Sequence, residues 1–349
     1  MHDRSLAAVV LAAGLGSRFG RPKAGVRIGG RTLLGVAVDT ATAAGLHPVV
    51  AVVPAGVSVP PGALGVTNAQ PGAGLSRSLQ LGLGAVPSDR DAAVILLADQ
   101  PTVGVALLRR LLGARGRTPV IATVNDGVLG PPVLVERAAF DLADRLVGDV
   151  GLRQLLRGVP DEVTPVEPGG PIPDVDTPAD LERVTEPCPG CAERYLPHVA
   201  DETHPYIGAS AACWATYGEL LARELEDMAY GRMHRHSADV YAVQHPGHDD
   251  RRQRQSVALH LVAICQWLEH ELPVELVNAI TQRLARSDRV WPWLTPPASF
   301  AMTVADVLQA STGEAHAALV RRWGIATWEA WSDHHDTVRD WAREALGER

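Results

Sequence analysis

Lysine is almost missing from this 349-residue chain: Lys23 stands alone among 32 basic residues, and all the rest are arginine. Such a composition keeps its one ammonium for a place that a planar guanidinium does not suit, and a compact charge on a flexible stem fits a point contact to phosphate oxygens. Positive charge is short overall, with 40 acidic residues giving a net charge of −8. That balance excludes a non-specific binder of nucleic acid or of an anionic membrane surface. No apolar run approaches the ~20 residues of a membrane span. Met1 to Ser5 is too short a lead into strand-like sequence to be a signal peptide. Cysteine is scarce, four in all with two in one CxxC. This excludes a disulfide scaffold and suits a reducing cytoplasm.

A further shortage is local. No tryptophan, tyrosine or cysteine occurs before residue 187, whereas all 8 Trp, all 5 Tyr, all 4 Cys and 11 of the 13 His follow it. Acidic excess follows the same line: residues 1–186 carry 18 acidic and 17 basic side chains, residues 187–349 carry 22 and 15. Two domains of different origin are expected, 1–186 and 187–349, joined near Thr185–Pro187 with Cys188-Pro189-Gly190-Cys191 at the seam.

In the first domain, apolar runs at 6–13, 48–53, 94–98 and 119–123 read as strands. The stretch 31–45 reads as a helix, with Leu33, Leu34, Ala37, Val38 and Ala41 on one face and Gly45 as its stop. Strands separated by helices imply an α/β fold, a mainly parallel, Rossmann-like sheet with helices on both faces. Ligands then bind at the carboxyl ends of the strands. The first strand runs into Leu11-Ala12-Ala13-Gly14-Leu15-Gly16-Ser17-Arg18-Phe19-Gly20, with Lys23 just beyond. Glycines that let the backbone close, with Arg18 and Lys23 beside them, offer the N–H groups and cations that a polyphosphate needs. Leu96-Leu97-Ala98-Asp99-Gln100-Pro101 ends a buried strand in one carboxylate, and Asp99 can hold Mg²⁺ there or cap the next helix. Asn68 to Leu79 is a turn-rich loop opening a helix, with Ser76 near the N-cap. In Asp174-Val175-Asp176-Thr177-Pro178, alternation on a short strand would put Asp174 and Asp176 on one side, and Thr177 and Pro178 fit a helix start.

The loop LAAGLGSRFGRPK resembles the signature LAAGxGxRxGxxK of the MobA/MocA-like nucleotidyltransferases, which make molybdenum cofactor dinucleotides; Leu11, Ala12, Ala13, Gly14, Gly16, Arg18, Gly20 and Lys23 fill its fixed positions. Gly74 to Leu79 with Gly82-Leu83 resembles the family's GxxxSL…GL segment. There the resemblance implies nucleotide contacts from Asn68 and Ser76, beside those of Leu11 to Gly16, Ser17, Arg18 and Lys23. Asp99 matches the family's metal-binding aspartate in a DxP setting. Gly130-Pro131-Pro132-Val133 and the later Gly148-Asp149-Val150-Gly151-Leu152-Arg153 resemble the MocA-type pattern, with Leu152 a departure. Asp149 either caps a helix or faces the acceptor. Asp174 to Leu181 resembles the family's terminal DIDTPEDL, and one of Asp174 and Asp176 is expected to join Asp99 at Mg²⁺.

Residues 187–349 read as a separate all-α domain, with helical spacing over 209–229, 256–272, 274–286, 304–310 and 315–346. They resemble an uncharacterised bacterial domain of no known activity. Cys188 and Cys191 have the spacing of half a zinc site, with Cys213, His204, His234, His245 and His260 as candidate partners. The tryptophans at 291, 293, 323, 328, 331 and 341 read as core.

The expected function is nucleotidyl transfer. The resemblance implies CMP moved from CTP onto the phosphate of a molybdopterin acceptor, with Arg18, Lys23 and Asp99 as catalytic residues and a molybdoenzyme or its chaperone as partner. An alternative is an NAD(P)-dependent oxidoreductase, the nicotine blue reductase label that some MocA-like proteins carry. Its ribose-binding carboxylate is lacking, since no acidic residue lies between Asp39 and Asp89. A third reading is a regulatory or binding fusion.

Overall fold

The computed structural model describes residues 6–12, 19, 23–125, 127–146, 152, 156, 158, 160–197 and 203–347. The chain divides into two compact units, Met1–Val184 and Thr185–Arg349.

In the first unit β1 (Leu6–Leu11) is buried at every position. A ribbon of β2 (Arg27–Ile28) and β3 (Arg31–Thr32) follows. Its turn places Gly29 at φ 54° and Gly30 at φ 75°, the two left-handed positions that a tight two-residue hairpin demands. Thr32 caps α1 (Leu33–Ala43) by accepting from the Gly35 N–H, so the ribbon takes Arg31 and the helix starts two residues later than its apolar pattern suggests. Next come β4 (Val49–Pro54), β5 (Ala63–Asn68), α2 (Leu75–Gly84), β6 (Ala92–Leu97), α3 (Val105–Gly113), β7 (Val120–Asn125), β8 (Val128–Glu136), β9 (Val163–Val166) and α4 (Pro178–Val184).

Seven strands form one sheet in the order β5-β4-β1-β6-β8-β7-β9. Pairings β1–β4, β1–β6, β4–β5 and β7–β9 are parallel; only β8 runs against its neighbours β6 and β7. Alternation along β1 splits the core between two faces. Ala8 and Val10 pack with Leu34, Val38 and Ala41 of α1 and with Leu107, Leu108 and Leu111 of α3. Ala7, Val9 and Leu11 pack with Leu79 and Leu83 of α2 and with Leu142 and Leu146. Helix α2 lies so close that a Cβ on Gly82 would come within 2.4 Å of Val9 Cγ1 and 3.0 Å of Val52 Cγ2.

The second unit begins with a short hairpin, β10 (Glu186–Pro187) and β11 (Arg194–Tyr195). Helices follow: α5 (Ala211–Glu226), α6 (Met228–Gly231), α7 (His234–Gln244), α8 (Arg251–Leu268), α9 (Val274–Ala285), α10 (Val304–Val307), α11 (Gly313–Ala330) and α12 (His335–Leu346). The single helix expected over 315–346 is two. Ser332–His334 forms a 3-10 turn between them, where Ser and Asp favour turn over helix and Trp331 tucks in at 1 % exposure. Trp291, Trp323, Trp328, Trp331 and Trp341 are core, while Trp293 is only partly buried. No helix among the described residues is long and apolar enough to cross a membrane.

Candidate functional site

Strand order makes the carboxyl ends of β1 and β6 the place to look. From β1 the chain passes to β4 on one side, and β6 lies on the other. The two ends are in register, Leu11 opposite Leu97. The Ala98 N–H still donates to the Leu11 carbonyl at 3.1 Å, and the Ala12 N–H to Val52 at 2.9 Å. Here the connections leave the two neighbouring strands in opposite directions along the sheet, the switch point at which ligands bind in folds of this kind.

Asp99 stands two residues past β6. Its carbonyl accepts from the Val175 N–H at 2.8 Å, which draws the 174–176 segment across the strand ends. Val175 is fully buried, and an aspartate lies on each side of it. No strand forms there, contrary to the expected alternation. Pro171 and Pro173 have no N–H to give to a ladder. The two aspartates part company as a result. Asp176 accepts from Lys23 Nζ, and Asp174 accepts from Gln100 Nε2 at 2.9 Å.

Lys23 opens a 3-10 turn, Lys23–Gly25. Its ammonium also donates to Asp99 Oδ2 at 3.1 Å. One cation therefore sits between two carboxylates that meet from positions 77 residues apart (176 − 99). Side-chain exposures of 18 % for Lys23, 27 % for Asp99 and 37 % for Asp176 leave the cluster within reach of a ligand. Burial pushes the Asp99 carboxyl above its ordinary range. Lys23 opposes this, and the charges of Asp174 and Asp176 reinforce it. Burial also works against the Lys23 ammonium, yet its bonds to Asp176 and Asp99 prevail and hold its pKa above 10.5. Asp99 does not cap α3, whose N-cap is Gly104.

Leu11 and Ala12 lie at the buried end of β1, with the Leu11 carbonyl and the Ala12 N–H engaged by the neighbouring strands. Ala13, Gly14, Gly16, Ser17, Arg18 and Gly20, with Asp149 and Arg153, fall outside the described residues. Asn68 ends β5 and is buried. Its amide donates to Ser78 Oγ at 3.0 Å and its oxygen accepts from the Gln70 N–H at 2.9 Å, so both ends fasten the loop. Ser76 lies near the N-cap of α2, as expected, without being it: Gly74, at φ 92°, takes that position, and Ser76 is the buried second residue of the helix. Gln100 and Ser78 were not expected as participants. Both act through a hydrogen bond to an expected residue, and such pairings leave no spacing signal.

In the second unit, Cys188, Cys191, Cys213 and His245 converge, all buried, with their ligating atoms within 4.8 Å of one another. The other expected histidines go elsewhere. His204 accepts from the Tyr206 N–H, His234 bonds to Glu224 at 3.0 Å, and His260 bonds to Asp239 at 2.7 Å.

The sheet order and the helices on both faces make the first unit a mostly parallel, Rossmann-like α/β fold. Residues 8–164 match the family described as the MobA-like NTP transferase domain, and the chain carries that domain. Residues 186–332 match a family of unknown function (DUF5946). No curated protein matches the chain. Among solved structures, Rv0371c from Mycobacterium tuberculosis H37Rv is 28 % identical over 52 % of this chain and 98 % of its own, with a TM-score of 0.46. Its homologue from Mycobacterium sp. strain JC1 is 27 % identical over 51 % and 93 %, TM-score 0.46. A nucleotidyl transferase from Methanothermobacter thermautotrophicus is 23 % identical over 51 % and 95 %, TM-score 0.44. The oxidoreductase reading gains no support from any of these matches.

Proposed function

We propose that the first unit transfers CMP from CTP onto a phosphate-bearing acceptor, molybdopterin, with release of pyrophosphate. The observation that carries the reading is the Lys23 ammonium held between Asp99 and Asp176 at the switch point of the sheet. An acceptor phosphate oxygen forms a bond to the α-phosphorus, the bond from that phosphorus to the bridging oxygen breaks, and pyrophosphate leaves with the electron pair. Such a transfer needs in-line positioning and neutralised phosphoryl charge rather than a covalent nucleophile on the protein.

In this reading the loop from Leu15 to Gly20 would cradle the triphosphate through its N–H groups, and Arg18 and Lys23 would meet the charge of the departing pyrophosphate. Asn68, which fastens its loop, and Ser76 would contact the nucleotide base. A divalent ion fits the donor set. Asp99 and Asp176 offer hard oxygens, and the place between them already seats a positive charge. We assign Mg²⁺ to these two, with Asp174 fixed beside them by Gln100. When bound, Mg²⁺ would supply charge neutralisation on the phosphoryl oxygens. Lys23 would then trade its carboxylate contacts for phosphate. The setting is the cytoplasm, and the product passes to a molybdoenzyme or its chaperone. Zn²⁺ at Cys188 and Cys191 is a separate proposal that owes nothing to this site.

The test is pyrophosphate release from each NTP with Mg²⁺ and a molybdopterin-bearing acceptor. CTP is expected to be preferred. Absence of release with every NTP, or a melting temperature raised by NADH and not by CTP–Mg²⁺, overturns the reading.

A further inference from the structure

We propose that Cys188, Cys191, Cys213 and His245 together hold one Zn²⁺ ion in a closed structural site that ties three separate stretches of the second unit together. The ligands come from the turn after β10, the first turns of α5 and the residue that ends α7.

Distance is the first argument. With Zn–S near 2.3 Å and Zn–N near 2.05 Å, a tetrahedron puts two sulfurs about 3.8 Å apart and a sulfur and a nitrogen about 3.6 Å apart. Cys191 Sγ lies 3.8 Å from Cys213 Sγ, and Cys213 Sγ lies 3.3 Å from His245 Nε2. All four ligand atoms stay within 4.8 Å of one another. A disulfide would need about 2.05 Å, and all four cysteines of the chain are free.

Protonation is the second. His245 Nδ1 lies 2.8 Å from the Tyr241 carbonyl. A carbonyl can only accept, so Nδ1 carries a hydrogen, and Nε2 is the nitrogen turned toward the sulfurs. This is how a metal-ligating histidine is oriented by its outer partner. The sulfurs have outer partners too: the Ser210 N–H donates to Cys188 Sγ at 3.4 Å, and the Tyr241 hydroxyl lies 3.6 Å from Cys213 Sγ.

Packing is the third. A Cβ on Gly190 would lie 2.6 Å from the Gln244 carbonyl oxygen, 2.6 Å from His245 Cδ2 and 2.7 Å from the Gly208 carbonyl oxygen. Ala192, which closes the CxxC turn, takes the left-handed φ of 61° that disfavours a side chain. The turn is thus pressed onto the end of α7 by a close approach that needs glycine. Exposures of 2 % for Cys188, 1 % for Cys191 and 0 % for Cys213 and His245 leave no ligand position facing solvent. A catalytic zinc keeps one open; a structural zinc does not. Binding releases the three thiol protons to buffer, and the three thiolates with the dication leave one negative charge that the two outer donors meet.

The experiment uses the full chain, purified under reducing conditions without added metal. Elemental analysis should find about one zinc per chain. In the Cys265→Ser variant every remaining thiol is a proposed ligand. Zinc content should be unchanged there, and a mercurial reagent should release the metal in step with three thiols. Cys213→Ser and His245→Ala should surrender zinc to a chelator that the parent resists, whereas His204→Ala, His234→Ala and His260→Ala should keep it. Should Cys213→Ser fail to fold, the three-thiol stoichiometry in Cys265→Ser still decides. Reduced protein without zinc, release out of step with the thiols, or full retention in Cys213→Ser and His245→Ala would overturn the proposal.

Discussion

Replacing Lys23 with alanine tests the first unit most directly. The ammonium makes two charge-assisted contacts, to Asp99 at 3.1 Å and to Asp176. Hydrogen bonds to charged groups contribute about 1.5–3 kcal/mol each. The Asp99 bond belongs at the low end because the pair is partly solvated, and the Asp176 contact, to a carboxylate 37 % exposed, is worth under about 1 kcal/mol. The sum, about 2 kcal/mol, lowers the melting temperature of a unit this size by about 4–8 °C. Lys23 holds its proton more tightly when folded, above 10.5. Its contribution is therefore complete at any pH below that value and lost only as pH rises past the folded pKa, so the deficit should be constant between pH 7 and 9. Added Mg²⁺ should recover stability in Lys23→Ala more than in the parent, because no ammonium competes for the carboxylates. Turnover should fall at least ~100-fold, the scale of losing one group that stabilises transition-state charge. Calorimetry and far-UV circular dichroism must follow the first unit, since every tryptophan and tyrosine lies after residue 187. Tryptophan fluorescence then serves as an internal control and should not shift. Unchanged turnover with a lower melting temperature would reduce Lys23 to a structural role, and no change in either would refute the assignment altogether.

Asp176→Ala should lower turnover about as much as Asp99→Ala, ~100-fold, and Asp174→Ala distinctly less, since Asp174 bonds Gln100 rather than Lys23; the reverse order in a pyrophosphate assay would show that the wrong aspartate was chosen. Gly82→Ala should destabilise the first unit by about 1–3 kcal/mol through overpacking against Val9 and Val52, in spite of alanine's better helix propensity; a variant melting no lower than the parent would contradict the close approach. His236 stacks on Trp267 with ring centroids 4.0 Å apart. Burial holds its pKa below 6.5, with Arg235 and Arg321 acting in the same direction and Asp239 against them. That stability is complete above pH 6.5 and lost as pH falls through the folded value, so His236→Phe should flatten the acid side of the fluorescence-monitored melting profile, and an equally steep profile would exclude His236 as its source.

Much of the first unit was legible because parallel strands buried on both faces read as unbroken apolar runs. Leu6 to Leu11 and Ala92 to Leu97 are such runs, and the chemistry follows each of them. Less legible was β8, where Pro131 and Pro132 argue against a central strand. The register of β7 on β8 shifts between Ala122 and Thr123; there the Thr123 hydroxyl donates to the Pro132 carbonyl at 2.8 Å. The choice between Asp174 and Asp176 was open for a different reason. Alternation on a strand would have put both on one side, and the partners that tell them apart, Lys23 for Asp176 and Gln100 for Asp174, lie far off in the chain.

In the second unit the helix that matters most to the cysteine cluster, α7, has no expected counterpart. Its buried face carries His236, Ser237, Asp239 and Gln244 beside Val240, Tyr241 and Val243. Apolar periodicity is the main helix signal, and these polar groups interrupt it. Ser237, Asp239 and Gln244 are tolerated inside through hydrogen bonds, and His236 through its stack on Trp267. Ser237 donates to the buried Glu224, which also bonds His316 at 2.9 Å. Asp239 accepts from Arg235 at 2.8 Å and bonds His260. Gln244 donates to the Met302 carbonyl and to Thr327 Oγ1, each at 2.8 Å. Apart from Arg235, one turn before Asp239 on α7 itself, the partners sit on α5, α8, α11 and the segment before α10, so no local window of sequence contains the whole reason for the burial. The same network holds two of the histidines that were candidates for the cysteine cluster. Glu224 bonds His234 and Asp239 bonds His260, whereas His245, one residue beyond α7, turns its Nε2 toward Cys213.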